Sequence, residues 1–287
     1  MLNLNKVGRP LARIDGGKYN GCVVSVSDQF ASNANEGDET LIREFRQLKI
    51  ANDSKFQHIP DTTKERSIFY ITGPSGSGKS TYTRKYLEQY KKKYKNRPIY
   101  LFSSLPSDES LDKIKPKRFR LDDSLHEDPI KVAQLEESMC IFDDIDVISN
   151  KKIREAVYDI LNQILEIGRH YKIDCICTNH LPTNGKETRR ILNEAHTVVY
   201  FPHSAGGKIK YLLEEYVGLD RKQMAYIKKQ RSRACTIFKN YPQCYMLEHE
   251  IGLLDMESDQ EALTKKKNKQ KEVDVEKEEL ELPENNM

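Results

Sequence analysis

Gly73, Pro74, Ser75, Gly76, Ser77, Gly78, Lys79 and Ser80, followed by Thr81, carry the residue types and spacing of a phosphate cradle. Gly73, Gly76 and Gly78 allow backbone angles and close approach that a Cβ forbids, so successive N–H groups can turn inward onto phosphate oxygens. Lys79 supplies a compact cation for β- and γ-phosphates, and the Ser80 hydroxyl supplies a ligand for Mg²⁺. A helix starting at Lys79 adds the partial positive charge of its amino end. A plain Gly/Ser turn has no need of a Lys-Ser pair at this spacing.

A second constellation completes this chemistry. Met139, Cys140, Ile141 and Phe142 form an apolar strand that ends in Asp143 and Asp144. Asp143 is the expected holder of the metal shell, and Asp144 stands where hydrolytic enzymes of this kind keep an acid that orients and activates water. An Asp-rich turn can also be a simple helix cap. The strand at residues 173–178 leads into Asn179 and His180, delivering polar side chains to the carboxyl edge of a sheet, where doubly wound folds bind ligands. His180 or Asn179 is the candidate sensor of the γ-phosphate; a capping Asn beside an exposed His is the structural alternative. Arg169 ranks first among arginines that could stabilise charge on a neighbouring subunit's nucleotide, with Arg233 and Arg189 or Arg190 behind it. Such a role requires an assembly.

These residues need a scaffold that brings strand ends together. Apolar, β-prone strands are predicted at 67–72, 98–103, 138–142, 173–178 and 197–201, alternating with helices at 79–95 and 151–170. The second helix shows Ile153, Val157, Ile160, Leu161, Ile164 and Leu165 at helical spacing, with Gly168 near its stop. The alternation predicts an α/β fold with a mostly parallel central sheet flanked by helices, a P-loop NTPase. Residues 67–254 form the expected ATPase core. Residues 1–66 read as an N-terminal extension packed on it, with a strand at 22–26, a loop at 32–38 and helical spacing over 39–50. Residues 255–287 read as a charged, disordered tail, because their apolar content is too low to offset chain entropy.

The chain has 287 residues, 32% of them charged and 37% hydrophobic, and no Trp. That suits one sizeable domain with extensions. The net charge of +3 conceals 47 basic against 44 acidic residues, so local clusters carry the information about partners. Residues 221–239 hold seven basic side chains and no acid, with Tyr226 and Phe238 interleaved, and residues 113–120 hold five more. Such stretches suit nucleic-acid backbones through counterion release, or serve as solvated faces. The amino end lacks an apolar signal region and no segment approaches the length of a transmembrane helix, so a soluble intracellular protein is expected. The six cysteines include no CxxC pair; they read as core residues in a reducing compartment.

Taken together, the stretches at 73–81 (GPSGSGKST), 100–104 (YLFSS), 140–146 (CIFDDID), 168–182 (GRHYKIDCICTNHLP), 195–202 (AHTVVYFP) and 232–242 (SRACTIFKNYP) resemble the genome-packaging ATPases of poxviruses and giant viruses. These belong to the FtsK–HerA division of P-loop motors, within the additional-strand, RecA-like class. The first and third stretches mark any P-loop ATPase through their Walker A and Walker B motifs; the fourth is more specific. The resemblance implies ATP and Mg²⁺ as cofactors, a homo-oligomeric ring and double-stranded DNA as the translocated partner. It further implies capsid or membrane-associated viral proteins as associates, in the host cytoplasm or the virion. By the same likeness Arg169 maps onto the arginine ahead of the sensor strand, and His180 onto a position held by Gln or His. Asp144 departs from the Glu that many relatives carry, and the first 55 residues match no part of the family. Two other readings stay open at this point: a P-loop kinase of a small metabolite, and an ATP-binding switch or scaffold that does not hydrolyse.

Overall fold

The computed structural model describes residues 1–28, 45–204 and 208–254, all within one unit, Met1–Leu254. The expected loop at 32–38, the first part of the expected helix at 39–50 and the tail at 255–287 lie outside the described residues. The chain opens with β1 (Leu2–Asn3), β2 (Arg9–Gly16), β3 (Val23–Val26), β4 (Gln47–Lys49) and β5 (Ser54–His58). There follow β6 (Ile68–Thr72), α1 (Lys79–Lys93), β7 (Ile99–Ser103), β8 (Lys117–Phe119), α2 (Ser124–Glu127), β9 (Met139–Asp143) and α3 (Lys151–Ile167). The remainder comprises β10 (Asp174–Asn179), α4 (Gly185–Glu194), β11 (Thr197–Tyr200), α5 (Ile209–Leu212), α6 (Arg221–Lys229), β12 (Cys235–Phe238), β13 (Cys244–Met246) and β14 (Glu250–Leu253).

The large sheet runs in the order β4-β14-β13-β12-β11-β6-β10-β9-β7-β8. From β8 to β11 every neighbour is parallel; from β11 through β12, β13 and β14 to β4 every neighbour is antiparallel. The chain is therefore an α/β P-loop NTPase fold with an antiparallel extension on one side. β6, β9 and β10 are buried along their whole length, as continuous apolar runs in a parallel sheet must be. Tyr70, Phe142, Cys175 and Cys177 face Val157, Ile160, Leu161 and Ile164 of α3. Phe69, Ile71, Ile141 and Ile176 face Tyr86, Leu87 and Tyr90 of α1. Cys140, Cys175, Cys177, Cys235 and Cys244 are all buried, as small core residues.

Two features of the amino-terminal part differ from the sequence expectation or add to it. The helix expected over 39–50 ends, in its described part, as a strand: β4 pairs with β14, Leu48 opposite Ile251. Three residues of ladder on a sheet edge prevail there over helical spacing, because pairing is decided by a partner far along the chain. β1, β3, β2 and β5 form a separate sheet in that order, packed on the core through Leu11, Ile14, Val24 and Phe56 against Phe238, Met246 and Ile251. Among the described residues no helix is long and apolar enough to cross a membrane.

Candidate nucleotide-binding site

β6, β9 and β10 end abreast at the carboxyl edge of the sheet, and the loop after β6 leads directly into α1. Gly76 and Gly78 stand at φ of 75° and 113°, the left-handed region. Gly73 is required for space instead: a Cβ there would lie 2.6 Å from Ser77 Oγ and 2.7 Å from Phe201 Cδ2. Gly78 is the N-cap of α1 and offers no side chain to the first turn, so those N–H groups are left for an anion. Ser77 Oγ and Thr72 Oγ1, at the loop and at its base, are buried without hydrogen-bond partners.

Lys79 is 6% exposed. Its Nζ donates to Gly73 O at 3.0 Å and lies 3.4 Å from Asp144 Oδ1 and 3.3 Å from His180 Nδ1. His180 Nε2 is 3.0 Å from Asp144 Oδ2. One tautomer serves both contacts, with Nδ1 accepting from the ammonium and Nε2–H donating to the carboxylate. Lys79, Asp144 and His180 thus close a triangle at the mouth of the loop. Asp144 itself sits at φ 48°, ψ 42°, a backbone conformation that a non-glycine residue keeps only when its surroundings enforce it. The enforcing contacts are two bonds from Asp144 N–H, to Thr178 O and Thr178 Oγ1, both at 3.0 Å. Asp146 lies next to this group, with Oδ2 accepting from His180 N at 3.3 Å and Oδ1 buried without a partner.

Asp143 is 2% exposed. Strand register sets Ser103 and Thr178 beside it, and their hydroxyls donate to Oδ2 at 3.1 Å and to Oδ1 at 2.9 Å. Burial, and then the neighbouring Asp144 charge, push its carboxyl above the usual carboxylate range. A cation bound here would offset both effects. The donor set of the Asp143 carboxylate and the half-buried Ser80 hydroxyl fits Mg²⁺, a hard ion that takes few protein ligands and completes its shell with phosphate and water oxygens. Among the described residues there is no cluster of three or more His, Cys, Asp or Glu that could hold a metal ion.

The remaining sequence candidates separate. Asn179 is 1% exposed, its Oδ1 accepts from Cys177 Sγ, and it faces away from Lys79; its contribution to the loop is the carbonyl, which accepts from Gly73 N at 3.2 Å. The pleat decides this, since Asn179 shares a strand face with Cys177 while His180 lies beyond the strand end. Arg169 precedes β10 and pairs with Glu65, which precedes β6, at 2.7 Å. It therefore sits at the amino edge, roughly 20 Å of strand away from the loop, and cannot touch the nucleotide of its own chain. Arg233 lies beside its own chain's loop, with Cδ 3.9 Å from where a Cβ on Gly78 would stand. The interleaved aromatics are also taken: Tyr226 Oη donates to Glu250 Oε1 and Phe238 is buried. Lys239 is anchored on Leu192 O at 2.7 Å. Arg221, Lys228, Lys229 and Arg231 remain exposed.

Ser103 and Thr178 were not singled out as functional from sequence. The available signal was positional, a small hydroxyl residue near the end of each predicted strand flanking the acidic one.

The family described as novel STAND NTPase 3 (nSTAND3) matches residues 51–197. Uncharacterized protein V3 of Sputnik virophage is 40% identical over 244 residues, spanning 84% of this chain and 94% of its own. Among solved structures, the DNA-packaging ATPase B204 from Sulfolobus turreted icosahedral virus is 15% identical with a TM-score of 0.46, covering 64% of this chain and 97% of that one. The pCW3 conjugation coupling protein TcpA, in its monomer form with ATPγS, is 13% identical with a TM-score of 0.42, covering 91% and 81%. The family match takes in the glycine loop, the acidic end of β9 and β10 together, and the chain belongs to the novel STAND NTPase 3 family.

Proposed function

We propose that the protein is an ATP-hydrolysing motor that translocates double-stranded DNA, as a homo-oligomeric ring that packages a viral genome into a capsid. The observation that carries the hydrolytic part is the Lys79–Asp144–His180 triangle beside the buried Asp143. Arriving phosphates compete for the Lys79 ammonium. Asp144, released from it, is free to accept a proton from water while His180 N–H keeps its carboxylate aimed. His180 is the proposed sensor of the terminal phosphate: its Nδ1 loses the Lys79 ammonium when Lys79 turns to the phosphates, while Nε2–H stays on Asp144. Mg²⁺ held by Ser80 and Asp143 would neutralise developing phosphate charge. Water, rather than a second substrate, is the acceptor that this arrangement serves.

Support for the DNA part is the set of exposed cations around α6 and the segment after it, Arg221, Lys228, Lys229 and Arg231. Arg169 is proposed to act on a neighbour's nucleotide, which its position at the far strand edge permits only in an assembly. The virophage source of a relative spanning most of the chain supports a viral setting. The deciding experiment measures phosphate release and particle size with and without duplex DNA, using Lys79→Ala as the control that loses nucleotide binding. DNA should stimulate release, and the stimulation should fall steeply with salt. Release indifferent to DNA at low salt refutes translocation. ADP formation only in the presence of a small acceptor refutes hydrolysis in favour of a kinase.

A further inference from the structure

The phosphate loop has two ways out. On one side stand Asp143, Asp144 and Asp146, whose carboxylates suit a metal-bound terminal phosphate and offer no apolar surface to a base. On the other, past Gly78 and Thr81, a cavity of about 280 Å³ opens. Its size is close to the lower limit of small-molecule sites, about 300 Å³. Its walls come from four parts of the chain: the first turns of α1, Phe201 just past β11, the segment around Arg233 with the β13–β14 turn, and β5 of the N-terminal sheet. Phe56, Phe201 and Met246 contribute apolar surface, and Gln57, Arg233 and Glu248 contribute polar atoms. That mixture suits a heteroaromatic base with hydrogen-bonding edges, with the Arg233 guanidinium available to lie over its π-face.

β5 is fastened at this position from both sides. Phe56 N donates to Glu248 O at 2.9 Å, and His249 Nδ1 is 2.8 Å from Ser54 O. His58 Nδ1 is 2.8 Å from Tyr82 Oη, which in turn bonds Thr236 Oγ1 at 2.7 Å. The N-terminal sheet is thereby tied to α1 and to β12, the elements on which a nucleotide at the loop would bear.

We infer that this cavity takes the nucleoside of the bound triphosphate, and that β5 makes the N-terminal sheet a wall of the nucleotide site. The inference rests on the nucleotide reading above and adds to it the part of the ligand that the glycine loop does not address. It also gives the N-terminal sheet a function: nucleotide occupancy is felt directly by β5 and the strands paired with it.

The test compares ATP with inorganic tripolyphosphate, which keeps the phosphates and lacks the nucleoside, by calorimetry with Mg²⁺. ATP should bind more tightly by about tenfold or more, the worth of burying and stacking one base. Gln57→Trp fills the cavity from the β5 side and should remove that advantage while tripolyphosphate binds as in the parent. The chain contains no Trp, so the new indole also reports that the variant is folded. Parent-like ATP affinity in a folded Gln57→Trp overturns the assignment and leaves the phosphate loop reading intact. Failure of the parent to bind either ligand overturns both. If Gln57→Trp does not fold, Lys55→Trp, at an exposed position on the same wall, decides. Its emission should respond to ATP and not to tripolyphosphate, and the same response to both, or none to either, sinks the assignment.

Discussion

Replacing Asp144 by Asn should tighten ATP binding and stop its turnover, two opposite effects from one carboxylate. Asp144 Oδ1 lies 3.4 Å from Lys79 Nζ, with side chains 18% and 6% exposed. Coulomb attraction at that distance is about 5 kcal/mol for an effective dielectric near 20. Most of it is offset by the desolvation of two buried charges, and Lys79 keeps Gly73 O and His180 Nδ1 as partners in the variant. What remains is the net worth of a charge-assisted hydrogen bond, about 1.5 to 3 kcal/mol. ATP must detach Lys79 from Asp144 to use it, so Asp144→Asn should raise ATP affinity by about ten- to a hundredfold. The amide cannot take a proton from water, and turnover should fall by about 10² to 10⁴. Equilibrium binding of a fluorescent nucleotide and single-turnover phosphate release read the two effects separately. Unchanged or weaker affinity in a folded variant refutes the competition for Lys79. Parental turnover removes Asp144 from the water-activating role.

Thr178→Val deletes the hydroxyl that serves Asp143 and Asp144 together; the folded variant should be less stable by about 1 to 3 kcal/mol in a denaturant titration and should need more Mg²⁺ for half-maximal nucleotide binding. An unaltered Mg²⁺ requirement would detach Thr178 from the metal carboxylate. The His58 ring is buried, and desolvation holds its pKa down at about 3, below an unfolded value near 6.5. The unfolded chain therefore binds the extra proton first, stability is fully present above pH 6.5, and it is lost as pH falls toward 3, by about 3 kcal/mol at pH 4.5. His58→Phe should flatten that part of the pH profile, and an equally steep profile in the variant would assign the acid sensitivity elsewhere.

The nucleotide loop and the acidic strand were legible because their chemistry is local. Three glycines, a lysine and a serine must be close in sequence to wrap one phosphate chain, and a strand buried on both faces must be apolar until it reaches the edge. The helix at 151–170 was legible for a similar reason: its buried stripe repeats within its own length, and the structure ends it at Ile167. Where a neighbour in space supplies the constraint, the reading failed or fell silent. Leu41, Phe45 and Leu48 have helical spacing, yet Gln47–Lys49 is a strand because β14 offers an unpaired edge. The cations at residues 221–239 look alike in one dimension, and tertiary packing divides them into an anchor at Lys239, a cavity rim at Arg233 and exposed charges on α6.

By itself, then, the amino-acid sequence determined which residues could grip a triphosphate and which strand would bring acids to it, since backbone angle, side-chain charge and burial period are properties of short segments. Only the tertiary structure decided which of Asn179 and His180 turns toward Lys79, that Ser103 and Thr178 flank Asp143, that Arg169 stands at the opposite strand edge, and that the N-terminal sheet borders the cavity beside the loop. Each of those outcomes depends on strand register and on the pleat, where a shift of one residue reverses the face a side chain occupies, and register is set by partners far away in the chain.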